Sequence, residues 1–189
     1  FKMKLAALFS GGKDSTYAIH LAKKLSHSVD VLLTLYPHSS DSHLLHHPNI
    51  KFTKLQSESM DIPQLIEEIP SVDTETEFKK LEKLIVSAKE NYSIEGIVHG
   101  GILSNFQKDN FSSICKKHNL EVLSPLWNQN PELYMQELLK ENFEYIISSV
   151  SCDGLDDSWL GHIIDQDRLE NLEKLQTKFG FNLNFEGGE

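Results

Sequence analysis

Arginine is almost missing from this chain: Arg168 is the single one among 189 residues. The bidentate guanidinium fork is therefore scarce, and phosphate recognition has to rest on lysines, hydroxyls and backbone N–H groups. Positive charge is short overall. A formal net charge of −10 disfavours non-specific nucleic-acid binding, which needs a basic face. Cysteine occurs twice, as Cys115 and Cys152, and never as Cys-x-x-Cys. That pattern suggests neither a zinc ribbon nor a redox pair, and reads as two reduced thiols in a cytosolic protein. No apolar run approaches a membrane span, and no signal-peptide pattern is visible. Met3 reads as the native start, with Phe1-Lys2 as a remnant ahead of it. Internal repeats and low-complexity linkers are missing too. So are two glycine-rich nucleotide motifs, Gly-x-x-x-x-Gly-Lys-Ser/Thr and Gly-x-Gly-x-x-Gly.

What the chain does have is Ser10-Gly11-Gly12-Lys13-Asp14-Ser15, set between the apolar run Leu5–Phe9 and a helix-like run from Thr16 to Leu25. A strand, a glycine turn and a helix start together make an anion site. Glycine allows positive φ and close backbone approach. The helix start supplies N–H groups and the positive end of the macrodipole. Lys13 adds a point charge, and Ser10 and Ser15 add hydroxyl donors. The alternative is a glycine turn capped by Ser10 or Asp14 with no ligand.

The rest of the chain alternates strand and helix, which argues for an α/β fold with a parallel sheet. Strands are expected at Leu5–Phe9, Val29–Tyr36, Ile50–Leu55, Glu95–His99, Leu120–Ser124 and Glu144–Val150, with a short one at Phe181–Phe185. Helices are expected at Ile62–Ile69, at Thr74–Tyr92 with Phe78, Leu81, Ile85, Ala88 and Tyr92 on one face, after Gly101, around Leu133–Leu139, and at Asp165–Phe179. Gly100-Gly101 forms a second glycine turn between strand and helix. In an open parallel sheet, ligands sit beyond the carboxyl ends of strands, so both turns are placed to face one cleft; close packing is the competing explanation. The stretch Pro37–Asn49 holds His38, His43, His46 and His47 and reads as a solvated loop rather than a metal site, which needs converging ligands. After Ser124 the alternation loosens. This divides the chain into a nucleotide-binding region, 1–124, and a smaller C-terminal region, 125–189.

Ser10–Ser15 resembles the PP-loop of N-type ATP pyrophosphatases, which split ATP into AMP and pyrophosphate. Later segments narrow the resemblance. Gly100-Gly101, Ser104 and Gln107, then Pro125-Leu126-Trp127, then Gly154-Leu155-Asp156 with Trp159-Leu160-Gly161, then Glu186-Gly187-Gly188-Glu189 follow in that order. With the PP-loop, they are similar to the diphthine–ammonia ligase family along the whole chain. Two departures stand out. Lys108 replaces the arginine usual after the Gln107 position, and the family continues past Gly-Gly-Glu, so the C-terminal region is expected to be incomplete at its end.

The resemblance implies a Rossmann-like parallel sheet with helices on both faces, of the adenine nucleotide alpha hydrolase type, plus a substrate-side subdomain. It implies a cytoplasmic ligase. With ATP and Mg²⁺, such an enzyme amidates the carboxylate of diphthine on translation elongation factor 2, through an acyl-adenylate. No glutaminase motif is evident, so free ammonium is the expected nitrogen source; neither a membrane nor nucleic acid is an expected partner. Lys13 and Asp14 are the catalytic candidates, Asp14 either binding Mg²⁺ through water or capping the helix. Ser10, Gly11, Gly12, Lys13, Ser15, Gly100 and Gly101 are the phosphate and ATP candidates. Leu35 and Tyr36 match the region that contacts adenine, and Tyr36 is taken as the ATP-site residue. Substrate candidates are His46, Ser104, Gln107, Trp127, Gly154, Asp156, Trp159, Glu186 and Glu189. Trp127, Trp159 and Asp156 or Asp157 suit a trimethylammonium recess, with core packing the competing role for the tryptophans. The rival readings are a PP-loop enzyme acting on tRNA or another substrate, and a nucleotide-binding protein without chemistry.

Overall fold

A computed structural model of the chain describes residues 1–37, 50–70, 73–101 and 105–185, with Pro37 and residues 105–107 described in backbone only. The chain divides into two compact units, Phe1–Trp127 and Asn128–Glu189.

The first unit contains strands β1 (Lys4–Leu8), β2 (Ser28–Pro37), β3 (Gln64–Ile69), β4 (Gly96–Val98) and β5 (Glu121–Leu123). Between them run helices α1 (Lys13–Lys24), α2 (Ile50–Met60), α3 (Thr74–Tyr92) and α4 (Asn105–Lys117). The strands form one parallel sheet in the order β3-β2-β1-β4-β5. β1 lies at the centre because its residues Leu5, Ala6, Ala7 and Leu8 are apolar on both faces, as a doubly covered strand requires. Leu5, Ala7 and Phe9 pack with Ala18, Ile19 and Ala22 of α1. Ala6 and Leu8 pack with Leu81, Leu84, Ile85 and Ala88 of α3 and with Phe111 and Cys115 of α4. The fold is therefore α/β with helices on both faces. Val29 and Val31 fall on opposite faces, because a register shift between β1 and β2 makes Asp30 an extra residue.

Two segments reverse the expected assignment. Ile50–Leu55 is not a strand but the first half of α2. Its apolar residues misled the alternation pattern: Phe52 and Leu55 are exposed, whereas Thr53 and Ser57, one helical turn apart, are buried. Ile62–Ile69 is not a helix; Gln64–Ile69 is the edge strand β3, registered on β2 from Leu32 to Pro37. Tertiary pairing overrides the poor strand propensity of Glu67 and Glu68. Glu67 is gripped by Lys83 at 2.7 Å and Lys80 at 3.6 Å, both from α3. These bonds, the one to Lys83 above all, hold its carboxyl below the usual range.

The second unit is built on α5 (Pro131–Lys140) and α6 (Gln166–Phe179), with a 3₁₀ turn at Asp157–Trp159. Tyr134, Met135, Leu138, Leu169 and Leu172 are its buried helical residues. Both helices begin as their sequences dictate. Asn130 and Asp165 accept from the N–H groups of Leu133 and Arg168, and Pro131 stands in the first turn of α5. Glu144–Val150 does not form a strand; Ile146 and Ile147 make only isolated bridges, to Ile163 and Leu160. Phe181–Phe185 is no strand either. Asn182 draws the chain into a turn, its carbonyl accepting from Phe185 N and its side chain from Asn184 N, each at 3.1 Å.

Candidate active site

The chain leaves β1 toward β2 on one side, while β4 lies on the other, so the carboxyl ends of β1 and β4 mark the point where the strand order reverses. Ligands of open parallel sheets sit in the crevice at such a point. Both glycine turns are there and they touch. A Cβ on Gly100 would lie 2.1 Å from the carbonyl oxygen of Asp14 and 2.7 Å from Ser15 N. Only glycine permits this approach of backbone to backbone.

The end of β1 is held rigidly. Phe9 N donates to Leu33 O at 2.9 Å, and the buried Thr34 hydroxyl donates to Phe9 O at 2.8 Å. Thr34 in turn accepts from Gln64 Nε2 at 2.9 Å. The loop then turns through Gly11, whose φ is +82°. Gly12 is the N-cap of α1 and offers no side-chain cap, so the helix start is not blocked by a capping carboxylate or hydroxyl of its own cap residue. The hydroxyls of Ser10 and Ser15 lie 3.5 Å apart, and Ser15 also donates to Gly12 O at 3.2 Å.

Lys13 and Asp14 occupy the first turn of α1. Lys13 Nζ donates to both oxygens of Asp14, at 3.0 and 3.1 Å, and both side chains are mostly buried. Asp14 suits the positive helix end, and Lys13 would oppose it without this partner. The pair places a carboxylate and an ammonium group side by side at the loop. Among the described residues, no group of three or more His, Cys, Asp and Glu side chains converges to hold a metal ion.

Beside the second glycine turn stands His99. It is 6% exposed, its Nε2 lies 2.6 Å from Ser124 Oγ, and its ring meets Phe111 edge-on at 5.5 Å. Burial pushes its pKa down to about 4, against the backbone of Gly101 and with help from the charge of Lys108. His99 is therefore neutral at physiological pH. Lys108 Nζ sits 3.7 Å from the ring centroid of Trp127, so a cation of the chain itself already occupies one face of that tryptophan. Burial pushes the Cys115 thiol up to about 12, which leaves it an inert core residue.

The remaining candidates fall elsewhere. Tyr36 is near the carboxyl end of β2, paired with Glu68. Gly154, Asp156 and Trp159 belong to the second unit. Gly154 has φ +97°, and a Cβ there would lie 2.4 Å from the Phe179 ring. The exposed Asp156 caps the 3₁₀ turn, accepting from Ser158 N at 3.0 Å and from the Ser158 hydroxyl. Those two bonds hold its carboxyl below the usual range. Trp159 is half-buried. His46, Ser104, Glu186 and Glu189, and the side chain of Gln107, lie outside the described residues.

Sequence reasoning passed over Gln56, His99, Ser124 and the Thr34–Gln64 pair. Gln56 Nε2 donates to Gly11 O at 3.0 Å. It lies just past the expected strand Ile50–Leu55, and only the helical state of Ile50–Met60 brings it to Gly11. For His99 the one available signal was its place next to the second glycine turn.

Comparison with known proteins bears on what this arrangement is. Residues 3–122 match the family model of the diphthamide synthase N-terminal domain, and residues 130–189 that of the diphthamide synthase C-terminal domain. The chain is 35% identical over 205 residues to a diphthine–ammonia ligase of Bos taurus and 33% identical to that of Homo sapiens, covering 99% of this chain and 76% of each relative. It is 29% identical over 204 residues to a diphthine–ammonia ligase of Schizosaccharomyces pombe, a longer protein of which it covers 33%.

Proposed function

We propose, on the premise that this chain belongs to the diphthine–ammonia ligase family, that it amidates the carboxylate of diphthine on translation elongation factor 2 with ATP and ammonium, releasing AMP and pyrophosphate. The observation that carries the reading within the molecule is the contact of the two glycine turns at the switch point of the sheet.

The chemistry starts with attack of the diphthine carboxylate on the α-phosphorus of ATP. Negative charge builds on the α-phosphate and on the departing pyrophosphate. Donors already in place are worth most there, because they need no reorganisation as the charge develops. Gly11, Gly12 and the start of α1 supply backbone donors, Ser10 and Ser15 supply hydroxyls, and Lys13 supplies the positive charge that arginine would otherwise bring. Gly100 and Gly101 form the opposite lip, and Tyr36 lies on the adenine side. Asp14 beside a triphosphate requires a cation between them. Lys13 is one; Mg²⁺ would be a second, with Asp14 the residue that would hold it, through water, and its charge would offset that of the phosphates. The acyl-adenylate then meets ammonia, and the carboxyl oxygen leaves with AMP.

Residues 1–124 are assigned to ATP and 125–189 to the substrate side, in the cytoplasm. Ser104, Gln107, His46, Glu186 and Glu189 are assigned to the substrate with Gly154. Lys108 would repel a substrate cation at Trp127, so the trimethylammonium recess is assigned to Trp159 with Asp156 or Asp157. The acidic net charge and the single arginine weigh against the tRNA reading.

The test uses diphthine-bearing elongation factor 2 with ATP, Mg²⁺ and ammonium. Conversion of acid to amide lowers the factor's mass by about 1 Da, and Trp159→Leu should slow it at least tenfold. Absence of conversion with the wild-type chain rejects the substrate assignment.

A further inference from the structure

We propose that Gln56 is a positioning residue of the phosphate loop, holding the Gly11–Gly12 peptide so that its N–H, not its carbonyl, is offered to the anion; this rests on the reading of Ser10–Ser15 as the ATP loop. Gln56 comes from α2, 45 residues away in sequence, and its Nε2 donates to Gly11 O at 3.0 Å. A peptide is planar and trans, so its C=O and the following N–H point in opposite directions. Anchoring the Gly11 carbonyl on α2 therefore turns the Gly12 N–H to the side away from α2.

The restraint matters because this peptide joins two glycines. Neither residue has a Cβ to resist rotation of the peptide plane. A flipped plane would present a carbonyl oxygen, an acceptor, to a phosphate that needs donors. Gln56 opposes the flip by bonding the carbonyl. It also closes over Gly11: its Oε1 lies 2.6 Å from where a Cβ on Gly11 would stand, with Thr53 Cγ2 at 3.0 Å, so a side chain at that position is excluded. Packing alone does not select this arrangement. Gln56 Oε1 is buried with no hydrogen-bond partner among the described residues, a cost that leucine or methionine would avoid while filling the same space. The residue's value therefore lies in the bond to Gly11.

Two variants of the full chain test the inference: Gln56→Met, which keeps the length and loses the donor, and Gln56→Glu, whose carboxyl donates only when protonated. Each is titrated with MgATP and with pyrophosphate, and melted in parallel. Gln56→Met is expected to weaken both ligands about tenfold, the loss of one good hydrogen bond, with a melting temperature close to wild type. Gln56→Glu is expected to bind worse than Gln56→Met at neutral pH. Relative to wild type at each pH, it should recover as the pH is lowered toward the carboxylate range, because the protonated carboxyl can again donate to Gly11 O. Wild-type affinity in Gln56→Met, or a lowered melting temperature with unchanged affinity, overturns the inference and leaves the ATP-loop reading standing. A wild-type chain that binds neither ligand overturns both.

Discussion

Glycine serves different ends in the two units. At the sheet, Gly100 is needed because backbone meets backbone: its neighbours are the carbonyl of Asp14 and the amide of Ser15, neither of which can move without moving the helix start. In Gly154-Leu155-Asp156, the glycine meets an aromatic side chain, Phe179, and one carboxylate oxygen of the aspartate accepts from Ser158 next door. The first arrangement fixes the place of a helix terminus relative to a second turn, as an anion site requires. The second is a local fold of a loop. A motif is thus an equally visible signal in both cases, but only in the first does the geometry itself argue for a ligand.

The comparison can be broken at several points. Lys13→Ala should lower turnover by about 10²–10³-fold, the usual cost of one donor to developing charge, with little change in fold. An unaffected rate would remove Lys13 from the chemistry. Gly100→Ala should destabilise the first unit by about 3 kcal/mol, since the clash is with backbone, lowering its melting temperature by about 10 °C. A wild-type melt would show that the turns can part freely. Gly154→Ala should cost less, about 1–2 kcal/mol, because Phe179 can rotate and the remaining strain is that of positive φ. A larger loss than at Gly100 would reverse the comparison. Asp156→Ala should change thermal stability least of all, because its partner Ser158 is exposed to water.

His99 sharpens it through pH. Its folded pKa of about 4 lies below the ordinary 6.5, so between those values the unfolded chain binds the extra proton. Stability is therefore complete above about pH 6.5 and falls as pH drops toward 4, by about 3 kcal/mol over the window. Glu67 and Glu82, whose carboxyls are held low by Lys83 and Lys117, add to the loss only in the carboxylate range below. Replacing His99 with phenylalanine should flatten the upper window in a denaturation series from pH 7 to 5. An unchanged slope would mean that the imidazole is not held neutral.

Strands β1, β2, β4 and β5 and helices α1, α3 and α6 were legible because their patterns are set by burial: an apolar run for β1, and steps of three and four for α3. The exchange of strand and helix between Ile50 and Ile69 was not, because α2 buries hydroxyls and exposes Phe52 and Leu55, which inverts the cue. β3 is an edge strand whose glutamates are explained only by Lys80 and Lys83 arriving from α3. At the site, Ser10–Ser15 was visible because its function lies in contiguous backbone. Gln56, His99 and Ser124 were not, since each acts through one contact that only the fold creates.

The most direct test of the account follows the oxygen. Diphthine on elongation factor 2, labelled with ¹⁸O in its carboxylate, is turned over with ATP, Mg²⁺ and ammonium, and the nucleotide products are analysed by mass. Adenylation at the phosphate loop predicts AMP carrying one ¹⁸O, unlabelled pyrophosphate, and loss of both products in Lys13→Ala. Label in inorganic phosphate, with ADP as the nucleotide product, would contradict it.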